Sequence, residues 1–227
     1  MVKMFEEFQK HLMEDENPSL YFDEIINNKD IYTLYPYTLL RNLIETPQSP
    51  VHHPEGNVWK HTMLVIDNAA KRKEISENPI AFMWAALLHD LGKAPTTKVK
   101  KEKITSYDHD KVGANLSREF LCALTNDEAL INQVTALVRW HMQTLFVTKN
   151  LPFGNVKEMA ADISIKEIAL LSECDRLGRG DMNELKSARK KRTSNLSLKS
   201  VKRSCCLLSN LDKFLGHCMF YHKCIYC

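Results

Sequence analysis

Histidine and aspartate occur together where the most apolar segment of the chain ends. His89 and Asp90 directly follow AFMWAALL (81–88), a run that predicts a buried helix. An ionised Asp at the end of such a run needs a partner, because an unpaired buried carboxylate is very costly. A divalent cation is one such partner, and imidazole nitrogen combined with carboxylate oxygen suits Mn, Fe, Co, Ni or Zn better than Ca or Mg alone. This pair therefore indicates a metal site.

Further residues of the same ligand types lie near the predicted starts or ends of other helices: His61, His109, His141 and Asp175. Any single histidine is more often a surface residue or a hydrogen-bonded core residue, and periodicity alone does not show that these side chains converge. The cysteines that precede residue 186 are not placed to join them, which argues against a structural Cys-rich zinc site.

Helical periodicity dominates the segments that carry these residues, and strict polar–apolar alternation is rare, so the predicted fold class is all-α. We expect helices over residues 36–45, 58–73, 79–93, 108–124, 128–142 and 164–177, with one or two short helices before Pro36. Loops are predicted over 46–57 and 149–156, and a loop or short hairpin over 96–105. The chain then divides into an N-terminal helical extension (1–47), one helical domain (48–185) and a tail (186–227).

The composition is that of a globular protein, with 44% hydrophobic and 26% charged residues. The formal net charge of +3 is unevenly distributed, because residues 186–227 contain ten basic residues and one acidic residue while the remainder is acidic. A uniformly basic nucleic-acid-binding surface is therefore not indicated. An acidic N-terminus without an apolar signal segment, and no run of ~20 apolar residues, lead us to expect a cytoplasmic protein without a membrane partner.

The tail differs abruptly from the rest of the chain, and three interpretations compete. It could hold a small zinc site, since it is rich in Cys and His, or it could be a basic arm that binds RNA. The third interpretation is a shift of the reading frame near Leu185, which would leave a poorly packed segment. Cysteine density rises at the same point in the sequence where acidic residues and helical periodicity are lost, which favours the third interpretation. The zinc ligands would be His217, Cys218, His222, Cys224 and Cys227.

Several motifs, in this order, resemble the HD superfamily of metal-dependent phosphohydrolases, and most closely the HD domain of bacterial CCA-adding tRNA nucleotidyltransferases. The dipeptide HD alone carries no signal, but the ordered set is highly specific. The motifs are HPEGNVWKHT (53–62), ALLHDLGK (86–93), HDKVGA (109–114), His141 and CDRLGRG (174–180).

The resemblance implies that one metal ion is bound by His61, His89, Asp90 and Asp175. It also implies that His109 and His141 bind a second ion or the substrate phosphate, with Asp90 then bridging two ions. The implied cofactor is a divalent ion, Mn, Ni, Co, Fe or Mg, present as one ion or two. Such an ion lowers the pKa of bound water and thereby supplies hydroxide for attack on phosphorus.

Other residues of the motifs are candidates for contact with substrate. Lys93 is a candidate catalytic and phosphate-binding cation, or else a charge that complements the end of its helix. Arg176 and Arg179 could bind phosphate or base, or form a solvated helix end. His53 could bind substrate and, with Glu55, line the mouth of the site, or both could only fix the loop.

Two further residues lie next to these candidates in the sequence: His52 precedes His53, and Asp110 follows His109. His52 reads as an ordinary surface residue. Asp110 is a weaker candidate for orienting His109, as outer acids often do in metal sites.

Two functions remain open: a phosphohydrolase acting on a nucleotide or related phosphate ester, and an HD-fold module that binds RNA or a nucleotide without catalysis. Residues 1–47 are too short for a nucleotidyltransferase head, so CCA addition is not expected. The absence of His-Glu and Gly-Tyr-Pro sequences after His141 counts against a cyclic-di-GMP phosphodiesterase.

Overall fold

The computed structural model describes residues 2–27, 33–101 and 103–179, and the three interpretations of the tail lie outside these residues. Within them the architecture is helical, as predicted, with one two-stranded sheet. None of the described helices is long and apolar enough to cross a bilayer.

Two helices precede Pro36 in the described residues, α1 (Val2–Glu14) and α2 (Ser19–Ile25). The helix predicted over 36–45 is regular only in α3 (Thr38–Arg41). Beyond it the backbone continues in tight turns, with Leu43 N bonded to Leu40 O at 3.1 Å. Leu40 and Leu43 are both fully buried, and three-residue turns keep side chains at this spacing on one face.

The next two helices carry the first candidate ligands. α4 (Val58–Ala70) begins at Asn57, whose side chain accepts a hydrogen bond from Lys60 N, as predicted for an N-cap. A 3₁₀ turn (Lys73–Ile75) leads to α5 (Pro79–Leu88). Every residue from Ala81 to Leu88 is fully buried, which makes α5 the central helix of the domain.

A short helix and a hairpin follow the HD dipeptide. They are α6 (Lys93–Thr96), β1 (Thr97–Lys100) and β2 (Lys103–Ser106), with the strands antiparallel and Thr97 opposite Ser106. The hairpin is one of the two structures predicted for residues 96–105. It ends directly before the next helix and so places Ser106 beside His109.

The remaining helices are α7 (His109–Cys122), α8 (Glu128–Trp140), α9 (Gln143–Thr148), α10 (Val156–Asp162) and α11 (Ile165–Leu177). The sequence patterns did not predict the short helices α9 and α10. α7 packs along α8, and α5 contacts α1, α4, α8 and α11. Because α5 is surrounded in this way, its C-terminus lies where several other helices start or end.

Candidate metal centre

The candidate ligands lie at helix termini that meet at one end of the domain. His89 follows the last residue of α5, and His141 follows the last residue of α8. His109 is the first residue of α7, and His61 lies in the first turn of α4. These four imidazoles and the carboxylate of Asp90 are all buried.

Three of the imidazoles are held in the same way. Nδ1 of His89 lies 2.9 Å from Ala86 O, Nδ1 of His109 lies 2.7 Å from Ser106 O, and Nδ1 of His141 lies 2.7 Å from Val138 O. A carbonyl oxygen can only accept a hydrogen bond, so each Nδ1 carries a proton. In the neutral ring, Nε2 is then left with a free lone pair, which is the form that binds a metal.

The carboxylate of Asp90 stands between two pairs of these rings. Its Oδ2 lies 3.3 Å from His89 Nε2 and 3.8 Å from His61 Nε2. Its Oδ1 lies 3.8 Å from His109 Nε2 and 4.0 Å from His141 Nε2. Asp90 is therefore common to two groups of three buried ligand-type side chains.

The second of these groups places two lone pairs against each other. His109 Nε2 and His141 Nε2 are 3.3 Å apart. Burial lowers the pKa of His109, and burial with repulsion from His109 and His89 lowers the pKa of His141 to about 3. Both rings are therefore neutral at pH 7. Two acceptor nitrogens at this distance repel unless a cation lies between them and Asp90, so these residues fit a metal ion.

His61 contacts carboxylates on both sides of its ring. Its Nε2 lies 3.0 Å from Asp175 Oδ1, and its Nδ1 lies 3.0 Å from Glu55 Oε1. Burial lowers the pKa of His61, but the hydrogen bonds to Asp175 and Glu55 outweigh it and raise the pKa overall. A Nδ1–H donated to Glu55 leaves Nε2 facing Asp175 and Asp90, the orientation of a carboxylate–histidine–metal arrangement.

Residues 58–180 match the HD domain family, more than half of the chain. This chain belongs to the HD domain family. That membership places it in a superfamily of metal-dependent phosphohydrolases, and it confirms the resemblance of the motifs.

Curated relatives match about half of this chain. The chain is 38% identical over 104 residues to the Multifunctional CCA protein of Actinobacillus pleuropneumoniae serotype 5b, covering 46% of this chain and 24% of that protein. It is 36% identical over 112 residues to the protein of the same name from Mannheimia succiniciproducens, covering 49% of this chain and 26% of that protein. It is 33% identical over 107 residues to the Multifunctional CCA protein of Pseudomonas fluorescens (strain SBW25), and this match covers 47% of this chain and 24% of that protein. The chain thus spans about a quarter of the length of these relatives.

The side chain of Lys93 lies at the candidate metal centre, beside Asp90. Its Nζ lies 2.7 Å from Asp90 Oδ2 and donates a hydrogen bond to Gln48 Oε1, also at 2.7 Å. Burial would raise the pKa of Asp90, but His89 and Lys93 lower it well below its ordinary value. The carboxylate is therefore ionised and available to a cation.

A cavity of about 490 Å³ opens onto the centre, and some of the predicted substrate contacts line it. Lys93, His53 and Arg179 are among the lining residues, and Arg179 Nη2 lies 3.8 Å from Asp175 Oδ2. Arg176 is not among them and is partly buried, with a pKa lowered by that burial. His52 is an exposed residue, as the sequence suggested, and it also lines the cavity.

Asp110 does not orient His109, contrary to the sequence-based expectation. It accepts a hydrogen bond from Arg139 Nη1 at 2.7 Å, while the His109 ring is held by Ser106 O. Glu55 is a carboxylate that holds a candidate ligand ring, that of His61, and it also lies 2.8 Å from His53 Nδ1. The sequence signal for Glu55 is its position in HPEG, six residues before His61, but its role depends on how the loop folds back over α4.

We expect Glu55→Gln to weaken metal binding by about 10- to 100-fold, the usual effect of losing an outer carboxylate. The amide oxygen still accepts a hydrogen bond from His61 Nδ1, but the negative charge that makes the ring a better ligand is lost. Calorimetric titration with Mn²⁺ measures the change. Glu45→Gln, an exposed residue nearby in the chain, is the control. Equal affinity for Mn²⁺ in both variants would show that Glu55 serves only the loop.

Proposed function

We propose that this HD domain hydrolyses a phosphate mono- or diester of a nucleotide or related compound, using a divalent metal bound at Asp90. One observation carries the proposal: four buried imidazoles surround one buried, ionised carboxylate, and backbone carbonyls accept hydrogen bonds from Nδ1 of His89, His109 and His141 so that Nε2 of each ring faces Asp90. Imidazole nitrogens grouped around a buried carboxylate are a ligand set that divalent transition-metal ions bind.

In this proposal one ion is held by His61, His89, Asp90 and Asp175, and a second by Asp90, His109 and His141. Bound divalent ions lower the pKa of water and polarise phosphoryl oxygens. Mn, Ni, Co, Fe and Mg are the candidate ions, since mixed imidazole and carboxylate ligands accept several of them.

The chain itself supplies cations for the phosphoryl group. Lys93 lies beside Asp90, and we propose that it stabilises negative charge that develops on the phosphoryl oxygens. Arg179 lies at the wall of the same cavity, and the exposed Lys149 lies at its rim. We propose that these two bind the remaining phosphate oxygens. Arg176 is less well placed to bind phosphate, because it does not line the cavity.

A metal-dependence assay tests the proposal. Purified protein is treated with EDTA, then supplied separately with Mn²⁺, Ni²⁺, Co²⁺, Fe²⁺ or Mg²⁺. Each sample is assayed with p-nitrophenyl phosphate, bis-p-nitrophenyl phosphate and 2′,3′-cyclic nucleotides. We expect no turnover after EDTA and restoration by at least one ion. No turnover with any ion and substrate, from protein that binds metal, would contradict a hydrolase.

RNA is the partner favoured by the alternative function. Lys149 and Arg179 at the cavity and the ten basic residues in 186–227 could hold a phosphate backbone without catalysis. RNA binding of this kind weakens steeply with salt and survives loss of Asp90. Retained affinity in an inactive protein would therefore favour the binding module.

A further inference from the structure

A second, larger cavity adjoins the metal centre. Its volume is about 680 Å³, within the range of roughly 300–1,000 Å³ typical of ligand pockets. It shares Ser106, His109 and Met142 with the cavity at Asp90. The shared lining residues place the two cavities side by side, with His109 between them.

Aromatic side chains form much of this second cavity. Phe146 and Phe153 meet edge to face, with ring centroids 5.7 Å apart and planes at 65°. Tyr107 also lines it, and Tyr107 and Phe153 are 72% and 64% exposed. Large aromatic rings left this exposed at the edge of a cavity offer faces on which a flat ring can stack.

Hydrogen bonds hold the loop that carries Phe153. Gln143 is 2% exposed, and its Oε1 accepts a hydrogen bond from Asn155 N at 2.7 Å. Its Nε2 donates to Phe153 O at the long distance of 3.4 Å. These contacts tie residues 153–155 to α9 and place the Phe153 ring against Phe146.

The charged residues of this cavity are paired with each other. Lys111 Nζ lies 2.8 Å from Asp108 Oδ1, and Arg139 Nη1 lies 2.7 Å from Asp110 Oδ2. Two acids and two bases leave no net charge, so this cavity does not attract a phosphate group. A flat, uncharged group that can form hydrogen bonds at its edge would suit this lining.

We propose that the second cavity binds the nucleobase of a nucleotide whose phosphate lies at Asp90. The inference rests on the proposed phosphohydrolase function and specifies its substrate as a nucleotide. The base stacks on the exposed ring of Phe153, which Phe146 supports edge to face, and the sugar passes Ser106 and His109.

Phe153→Ala tests the proposal with little risk to folding, because the ring is mostly exposed. The four nucleoside 5′-monophosphates are compared with ribose 5-phosphate, which has the same sugar and phosphate but no base. Loss of one aromatic–base stack costs about 10-fold in affinity. We expect kcat/KM for the preferred nucleotide to fall by about that factor, while kcat/KM for ribose 5-phosphate is unchanged. Leu20→Ala, an exposed apolar residue outside both cavities, is the control.

A binding measurement separates this inference from the proposed function. Adenosine, guanosine, cytidine and uridine are titrated into EDTA-treated protein and followed by saturation-transfer NMR. Binding of at least one nucleoside, weakened by Phe153→Ala, supports the cavity assignment. If none binds, or if the variant binds equally well, the assignment is overturned. Absence of turnover on every substrate would overturn the phosphohydrolase instead, and the nucleoside titration would still decide what the cavity holds.

Discussion

Asp90→Asn is expected to remove metal binding and phosphohydrolase turnover together. Asp90 faces both pairs of imidazoles, so loss of its charge affects every ion that the centre could hold. The effect should exceed the about 10- to 100-fold that outer residues contribute to a metal site. Elemental analysis of the purified variant and kcat/KM for p-nitrophenyl phosphate measure the two losses.

The asparagine variant keeps the shape of the side chain, so the fold should survive. Lys93 Nζ loses its ionic partner but retains the hydrogen bond to Gln48 Oε1. Asp15→Asn is the matched control, because Asp15 follows the last residue of α1, its carboxylate lies 2.9 Å from His11 Nδ1, and it does not line the cavity at Asp90. If Asp90→Asn binds metal and turns over substrate as well as this control, the proposed metal centre is contradicted.

Gly92→Ala is expected to destabilise the domain by at least about 3 kcal/mol, the upper end of the usual cost of overpacking. A Cβ at this position would overlap His109 O and lie 2.5 Å from Gly113 N. Both are backbone atoms of α7, which cannot move away as the end of a flexible side chain can. The α5–α6 connection and α7 would have to separate, and this connection carries Asp90 while α7 carries His109. We therefore expect weaker Mn²⁺ binding together with lower stability.

Urea unfolding and Mn²⁺ titration of the same preparations measure both effects. Gly154→Ala is the control, because its Cβ would make only ordinary contacts at 3.7 Å. That variant should unfold within about 0.5 kcal/mol of the parent protein, as surface substitutions usually do. If Gly92→Ala unfolds like the control, the close approach of α7 to Gly92 is not required.

The sequence predicted the helices that bury a continuous apolar face, because such periodicity is local information. It predicted α5 as the central helix and the hairpin as one alternative for residues 96–105. It did not predict α9 and α10, which are six and seven residues long and too short to show a period. The helix predicted at 36–45 is regular only over Thr38–Arg41 and continues in tight turns to Ile44.

Candidate ligands could be named from residue type, but their convergence depends on how distant helices cross. Asp110 illustrates this limit. Adjacent residues on a helix point about 100° apart, so Asp110 is directed away from the ring of His109 and towards Arg139. The hydrogen bonds that Ser106 O and Glu55 accept from these rings depend on where the end of β2 and the loop before α4 are placed, which residue spacing does not encode.

Three of the candidate ligand rings take their orientation from carbonyls only three residues earlier in the chain. Each ring is thus set by its own segment once the helices have docked, and no ion is required to aim it. Ions should therefore exchange while the domain remains folded, unlike small zinc modules that unfold when stripped. Which metal is bound in a cell would then follow the local supply of metals rather than the folding history of the chain.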